Sequence, residues 1–252
     1  MKYFLHLSFL GTNYHGWQRQ ENLISVQSVI EDNISKMLGW DKCIIYGCGR
    51  TDAGVHASQY FAHVDLPEAL DFDPLERLNH MLPKDISIRE IIKVNPRAHA
   101  QYDAEFRTYQ YHIHTRKDAL SFQTSSYYRL NQLNEVAMHE AMKFIEETKD
   151  FKSLCKVPDR HNHTESNMTH AILKFDREKH AILFTFRANR FLQRQIRIMV
   201  QKILEIGQGN ISIDYFKTIV SEKQLFPELN SAFAQGLFLT KVEYPEIVFK
   251  VD

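Results

Sequence analysis

Cysteine is scarce in this chain: Cys43, Cys48 and Cys155 are the only three among 252 residues. No C-x-x-C pair occurs, so neither a disulfide framework nor a zinc ribbon is expected, and free thiols in a reducing compartment are the plain reading. Long apolar runs are missing as well. None is long enough to cross a bilayer, and the opening Lys2-Tyr3-Phe4-Leu5 is interrupted at His6 before an apolar stretch of signal-peptide length can build up. A soluble, cytoplasmic protein is expected. No Pro/Gly-rich linker or low-complexity segment divides the sequence. Excess charge is also absent, since 31 basic residues face 31 acidic ones. Phosphate binding usually shows as a basic excess, so a nucleic-acid protein of this composition must segregate its cations on one face.

What remains is ordinary globular composition, 44% hydrophobic and 25% charged. A chain of this size buries roughly 70–75% of its unfolded surface and needs no metal or disulfide staple. Strand-like runs alternate with amphipathic helices. Tyr3–Phe9 reads as a strand ending at Gly11. Val26–Leu38 reads as a helix, with Ser25 as its cap and Gly39 as its stop. Strands are expected at Cys43–Cys48, Gln59–Val64 and Ile86–Val94, with a short helix at Pro74–Met81. The second half repeats the flavour: strands at Tyr109–His114, Ala171–Phe175, Ala181–Phe186 and Leu237–Val242, and helices at Leu133–Ile145 and Phe191–Ile206, the latter closed by Gly207. The pattern predicts an α+β fold of two similar ferredoxin-like (RRM-like) halves, 1–105 and 106–252. These would share an extended, mostly antiparallel sheet, with helices on one face and a central basic cleft. The polar, His-rich segment Cys155–Asn167 reads as a mobile surface insertion. The spacing of Cys155, His161 and His163 fits no zinc template.

The sharpest local signal is Gly49-Arg50-Thr51-Asp52-Ala53-Gly54-Val55-His56, just after a predicted strand. Glycines permit a sharp turn and a close approach to a ligand, and loops at strand ends often carry reactive groups. Arg50 can reach Asp52 there and keep it ionised. From the loop alone, a plain tight turn with Asp52 capping backbone amides is the slightly favoured reading. The phosphate-binding pattern G-x-x-x-x-G-K-[ST] is absent.

Gly49–His56 resembles the catalytic signature of the TruA family of tRNA pseudouridine synthases, and further segments resemble that family in order. They are Gly11-Thr12-Asn13-Tyr14-His15-Gly16-Trp17-Gln18, Ser25-Val26-Gln27, Leu78-Asn79 with Leu82-Pro83 and Asp85-Ile86, and His99-Ala100 with Arg107-Thr108-Tyr109-Gln110-Tyr111. Phe191 with Arg197, Gly236-Leu237-Phe238-Leu239 and Tyr244-Pro245 complete the series.

The resemblance implies isomerisation of uridine to pseudouridine in tRNA, in the anticodon stem-loop, without cofactor or metal. Asp52 matches the nucleophile, attacking either C1′ of the ribose or C6 of the base, and the target base must leave its stack to be reached. Tyr109 would stack on the uracil and take the C5 proton; without the resemblance it would pass for a cross-strand aromatic. Arg197 resembles the arginine that pairs with the catalytic Asp, and Leu237 would form part of the pocket wall. Arg50, Thr51, His56, Tyr14, Gln101, Arg190 and Arg194 are the further substrate-binding candidates. A homodimer contacting one tRNA is also implied.

Arg190, Arg194, Arg197 and Gln201 fall at i, i+4, i+7 and i+11, one stripe of a helix, with Leu192, Ile196, Met199, Val200 and Ile203 opposite. No acidic residue interleaves the stripe, so it reads as cleft-lining rather than as a salt-bridged surface. Arg19, Lys84, Arg107, Arg116 and Lys117 are candidate phosphate contacts. Gln101 stands where the family has an arginine associated with displacing the target base. That departure suggests a diverged paralogue, either a synthase with shifted uridine specificity or an RNA-binding protein with impaired catalysis. A carboxylate hydrolase lacks an evident second carboxylate.

Overall fold

The structure is a computed structural model that describes residues 1–67, 70–130 and 132–251. Along the chain run β1 (Lys2–Phe9), α1 (Val26–Leu38), β2 (Tyr46–Gly47), β3 (His56–Asp65), α2 (Pro74–Met81) and β4 (Ile86–Lys93). Then follow β5 (Phe106–His114), β6 (Ser126–Tyr127), α3 (Glu135–Glu147), β7 (Met168–Asp176), β8 (Ala181–Ala188), α4 (Gln195–Gly207), α5 (Ile213–Ser221) and β9 (Leu237–Glu243). The fold is mixed α+β. It divides into two compact units, Met1–Arg107 with Phe238–Asp252, and Thr108–Leu237.

In the first unit the strands lie in the order β4-β1-β3-β9, and β2 also pairs with β3. All pairings are antiparallel except β3 with β9, which is parallel. The two helices begin and end where the sequence predicts. The Ser25 hydroxyl accepts from the Ser28 amide, and Gly39 closes α1 with φ +67°, a conformation that favours glycine. Asp73 caps α2 ahead of Pro74. Along α1, Val26, Ile30, Ile34 and Met37 are buried at helical spacing.

The predicted strand Cys43–Cys48 shrinks to Tyr46–Gly47. The Ile45 amide donates to Oε1 of Glu31 (3.0 Å) and its carbonyl accepts from Gln27 (3.0 Å), so side chains of α1 take backbone groups that a strand would use.

The second unit has the strand order β5-β8-β7, with β6 parallel beside β5. β7 and β8 form an antiparallel pair, and α3 packs on β7, α4 and α5. α3 starts at Glu135 rather than Leu133 because Asn134 caps the Ala137 amide. α5 was not anticipated, although Ser212 caps it and Phe216, Ile219 and Val220 are buried at helical spacing.

Two sequence expectations are corrected here. α4 begins at Gln195, not Phe191: Arg194 lies in the left-handed region (φ +59°), and the Leu192 amide donates to Oε1 of Gln195 (2.8 Å) in a tight turn. Arg190 and Arg194 therefore precede the helix, and the four-residue stripe reduces to Arg197 and Gln201. The His-rich segment, expected to be mobile, is anchored at both ends. Phe151 N donates to Thr164 O (2.9 Å) and Lys156 N to Gln193 O (3.1 Å), Ser166 Oγ donates to Arg190 O (2.6 Å), and Cys155 is buried.

Candidate functional site: a glycine-clasped carboxylate loop

The Gly49–His56 loop is built by its neighbours in the first unit. Tyr60 donates its hydroxyl to the Gly49 carbonyl. Trp17 N donates to Thr51 O (3.3 Å), Gly54 N to Tyr14 O (3.3 Å), and Val55 N to Asp52 O (3.2 Å), which closes a turn on Asp52. Gly54 takes φ +77° in that turn.

The segment Gly11–Trp17 clasps the loop from the other side, and its glycines explain the closeness. A Cβ on Gly11 would lie 1.9 Å from Val55 O, and one on Gly16 (φ +84°) would lie 2.3 Å from Thr51 O. Two segments of the family resemblance are thus physically one structure.

The loop residues differ in exposure. Asp52 and Thr51 are half-buried and Arg50 is exposed. Among the described residues Arg50 makes no ion pair, so the expected pairing with Asp52 within the loop is not formed. The carbonyls on either side of Arg50 are held by Tyr60 and Trp17, and its side chain faces solvent. The Thr51 hydroxyl is buried and has no hydrogen-bond partner among the described residues.

His56 is fully buried. Its Nδ1 accepts from Gly11 N (2.9 Å) and its ring packs on Phe238. Tyr14 is also buried, and its hydroxyl donates to Oδ1 of Asp85, which with burial pushes its ionisation far above the usual tyrosine range. Both residues hold the loop from behind.

Gln101 is exposed, and its carbonyl accepts from Nη2 of Arg107 (2.6 Å). Two candidate phosphate contacts are already engaged within the protein. Arg19 pairs with Glu31 and Asp32 (2.6 Å each), and Arg107 donates to the carbonyls of Cys48, Ala104 and Gln101.

In the second unit, Tyr109 is buried on β5 with its ring edge-on to Phe191 (5.1 Å between centroids). Arg197 sits in the first turn of α4, where Nε donates to Ala232 O (2.7 Å) and its carbonyl accepts from Ala232 N (2.9 Å). Arg190 donates to Nε2 of His163 (2.8 Å), so the His-rich segment holds a candidate arginine in place. Leu237 is buried at the start of β9.

Sequence reasoning missed the supports around these residues. The buried Tyr111 hydroxyl donates to Phe233 O (2.7 Å) and lies 2.9 Å from the Ser126 hydroxyl. A Cβ on Gly236 would lie 2.7 Å from His112 O and from Ser126 Oγ, so only glycine fits between them. The spacing Tyr109-x-Tyr111, which puts both rings on one face of a strand, was the available signal.

Among the described residues no group of three or more His, Cys, Asp or Glu is placed to hold a metal ion. Among the described residues no helix is long and apolar enough to cross a membrane.

A family profile described as tRNA pseudouridine synthase matches residues 141–245. The tRNA pseudouridine synthase A of Bacteroides thetaiotaomicron is 39% identical over 257 residues, spanning 100% of this chain and 93% of that protein. The Bacteroides fragilis protein of the same name is 39% identical over 99% of this chain and 98% of its own length. That of Azobacteroides pseudotrichonymphae is 40% identical over 99% of both. At this identity over the whole length, with the clasped Asp52 loop in place, the chain belongs to the TruA family of tRNA pseudouridine synthases, intramolecular isomerases.

Proposed function

We propose that this chain converts uridine to pseudouridine in the anticodon stem-loop of tRNA, with Asp52 as the nucleophile. The reaction breaks N1–C1′ and forms C5–C1′; the C5 proton leaves and N1 regains one. No electron is gained or lost, so the chemistry asks for no cofactor. Asp52 attacks C1′ of the ribose or C6 of the uracil, which holds the two fragments together while the base turns. The observation that carries this reading is the half-buried Asp52 on a turn fixed from four sides, by Tyr60, Trp17, Tyr14 and its own Val55. A preset carboxylate reacts without first being ordered.

Tyr109 is assigned to the uracil, as stacking surface and acceptor of the C5 proton, and Arg197 to the charge of the carboxylate. Leu237 is assigned to the apolar pocket wall. Arg50, Thr51, Gln101, Arg190 and Arg194 are assigned to the RNA, and Tyr14 and His56 to the shape of the loop. The order β1-α1-β2-β3-α2-β4 supports a ferredoxin-like half in the first unit. A cytoplasmic homodimer accompanies this reading.

The test is tritium release from tRNA labelled at C5 of uridine, with the modified positions mapped. Wild type should release tritium, and Asp52→Asn should lower single-turnover release by about 10⁴-fold or more while still binding tRNA. Release by Asp52→Asn near the wild-type rate would remove Asp52 from the mechanism.

A further inference from the structure

We propose that Tyr102 is a stacking platform for an unpaired base of the RNA, set beside the Asp52 loop; the proposal rests on the isomerase reading above. Four rings form a contiguous series in the first unit, two stacked pairs joined by an edge-to-face contact. Tyr46 on β2 stands opposite His63 on β3, with centroids 5.0 Å apart and ring planes at 19°. His63 meets His99 at 4.5 Å, and His99 stacks on Tyr102 at 4.1 Å and 23°. His63 is buried, whereas the two ends are open: Tyr46 is 52% and Tyr102 78% exposed.

The turn that carries Tyr102 is held by a set of hydrogen bonds. His99 Nδ1 accepts from the amides of Gln101 (3.1 Å) and Tyr102 (3.2 Å), and the His99 amide donates to Oδ2 of Asp103 (2.7 Å). Ala100 N donates to His63 Nδ1 (3.1 Å), and Ala100 O accepts from the Tyr244 hydroxyl (2.6 Å). Arg107 then joins this turn to the catalytic loop, since Nη2 donates both to Gln101 O (2.6 Å) and to Cys48 O (3.0 Å), the residue immediately before Gly49.

Tyr102 contributes little to the fold. Among the described residues its hydroxyl makes no hydrogen bond, and one ring face rests on His99 while the remainder of the ring meets water. A flat ring held by a fixed neighbour, with its other face open, is how single-strand binders present a surface to a base. The exposed Arg50 lies two residues after Cys48, whose carbonyl Arg107 ties to this turn, and such sites combine stacking with cations. An apolar protein anchor would instead sit in a closed pocket.

The experiment compares Tyr102→Ala, Tyr102→Phe and Tyr102→Trp in the full chain. Binding of unmodified tRNA, binding of a fully paired RNA duplex, tritium release and Tm are measured. Tyr102→Ala should weaken tRNA binding and kcat/KM by about 5- to 150-fold, with Tm and duplex binding unchanged. Tyr102→Phe should restore both, because the ring and not the hydroxyl does the stacking. Tyr102→Trp should bind as wild type and show fluorescence quenching by tRNA beyond that of Trp17 and Trp40. If Tyr102→Ala binds tRNA as tightly as wild type, or loses duplex binding equally, the platform is not a base-stacking site. A wild-type chain that releases no tritium from any tRNA defeats the isomerase reading instead, whatever Tyr102→Ala does.

Discussion

The amide of Gly11 donates to Nδ1 of the buried His56 at 2.9 Å, across 45 residues of sequence. That bond pins the end of β1 to the start of β3, and the Asp52 loop is the chain that leads into β3. The loop's conformation is therefore set by contacts with β1 and its following segment as much as by its own glycines.

Gly16→Ala tests the clasp. The new methyl would have to occupy space 2.3 Å from Thr51 O, at a backbone φ of +84°. It should destabilise the chain by at least about 2 kcal/mol, lowering Tm by roughly 4–8 °C. Tritium release should fall further than stability explains, because Thr51 adjoins Asp52. Calorimetry beside activity at a temperature where the variant is fully folded separates the two effects.

Thr51→Val asks what the buried hydroxyl is for. It has no partner among the described residues, so an isosteric methyl should leave stability within about 0.5 kcal/mol or raise it. A fall in tritium release with unchanged Tm identifies the hydroxyl as a group that bonds the substrate. Unchanged release removes Thr51 from the RNA contacts.

Arg50→Ala should leave Tm unchanged, since Arg50 makes no ion pair among the described residues. If Arg50 meets a phosphate, the salt dependence of tRNA binding should lose about one unit of slope. An identical slope places the guanidinium away from the RNA backbone.

His63 gives the fold a pH dependence of definite sign. Burial pushes its imidazole down to about 4, His99 and Lys2 act in the same direction, and Asp65 and Asp103 oppose it. In the unfolded chain it titrates near 6.5. Above that pH it is neutral in both states and costs nothing. As pH falls from 6.5 towards 4, the unfolded chain gains a proton that the folded chain refuses, and stability drops by a total on the order of 3 kcal/mol. Urea midpoints between pH 7 and 4.5 should show the decline in wild type and a shallower one in His63→Gln.

Local signals were legible where the physics is local. α1 and α2 were placed to the residue because Ser25, Gly39, Asp73 and Pro74 mark their ends within one turn. β2 was overextended because Ile45 bonds to Glu31 and Gln27, which lie 14 and 18 residues away in sequence. The start of α4 was misplaced because arginines at helical spacing do not disclose that Arg194 takes a positive φ. The Asp52 loop was legible as a motif, but its clasp by Gly11 and Gly16 was not, since nothing in the spacing brings residues 11 and 55 together. The ring series was hidden for the same reason: Tyr46 and His63 meet only through strand register.

The free edge of β3 is closed by two pieces of very different age. β2 covers Ala62 and His63, whereas His56 and Ala57 wait for Phe238 and Leu239 of β9. On a ribosome adding about 5–20 residues per second, that interval lasts roughly 10–40 s. Throughout it, the strand that leaves Asp52 stands half-edged and open to pairing with other chains. The newborn chain can close the Asp52 loop once Tyr60 has emerged, since every bond that fixes the turn comes from Tyr60 or from residues before it, but the start of β3 gains its second neighbour only with β9.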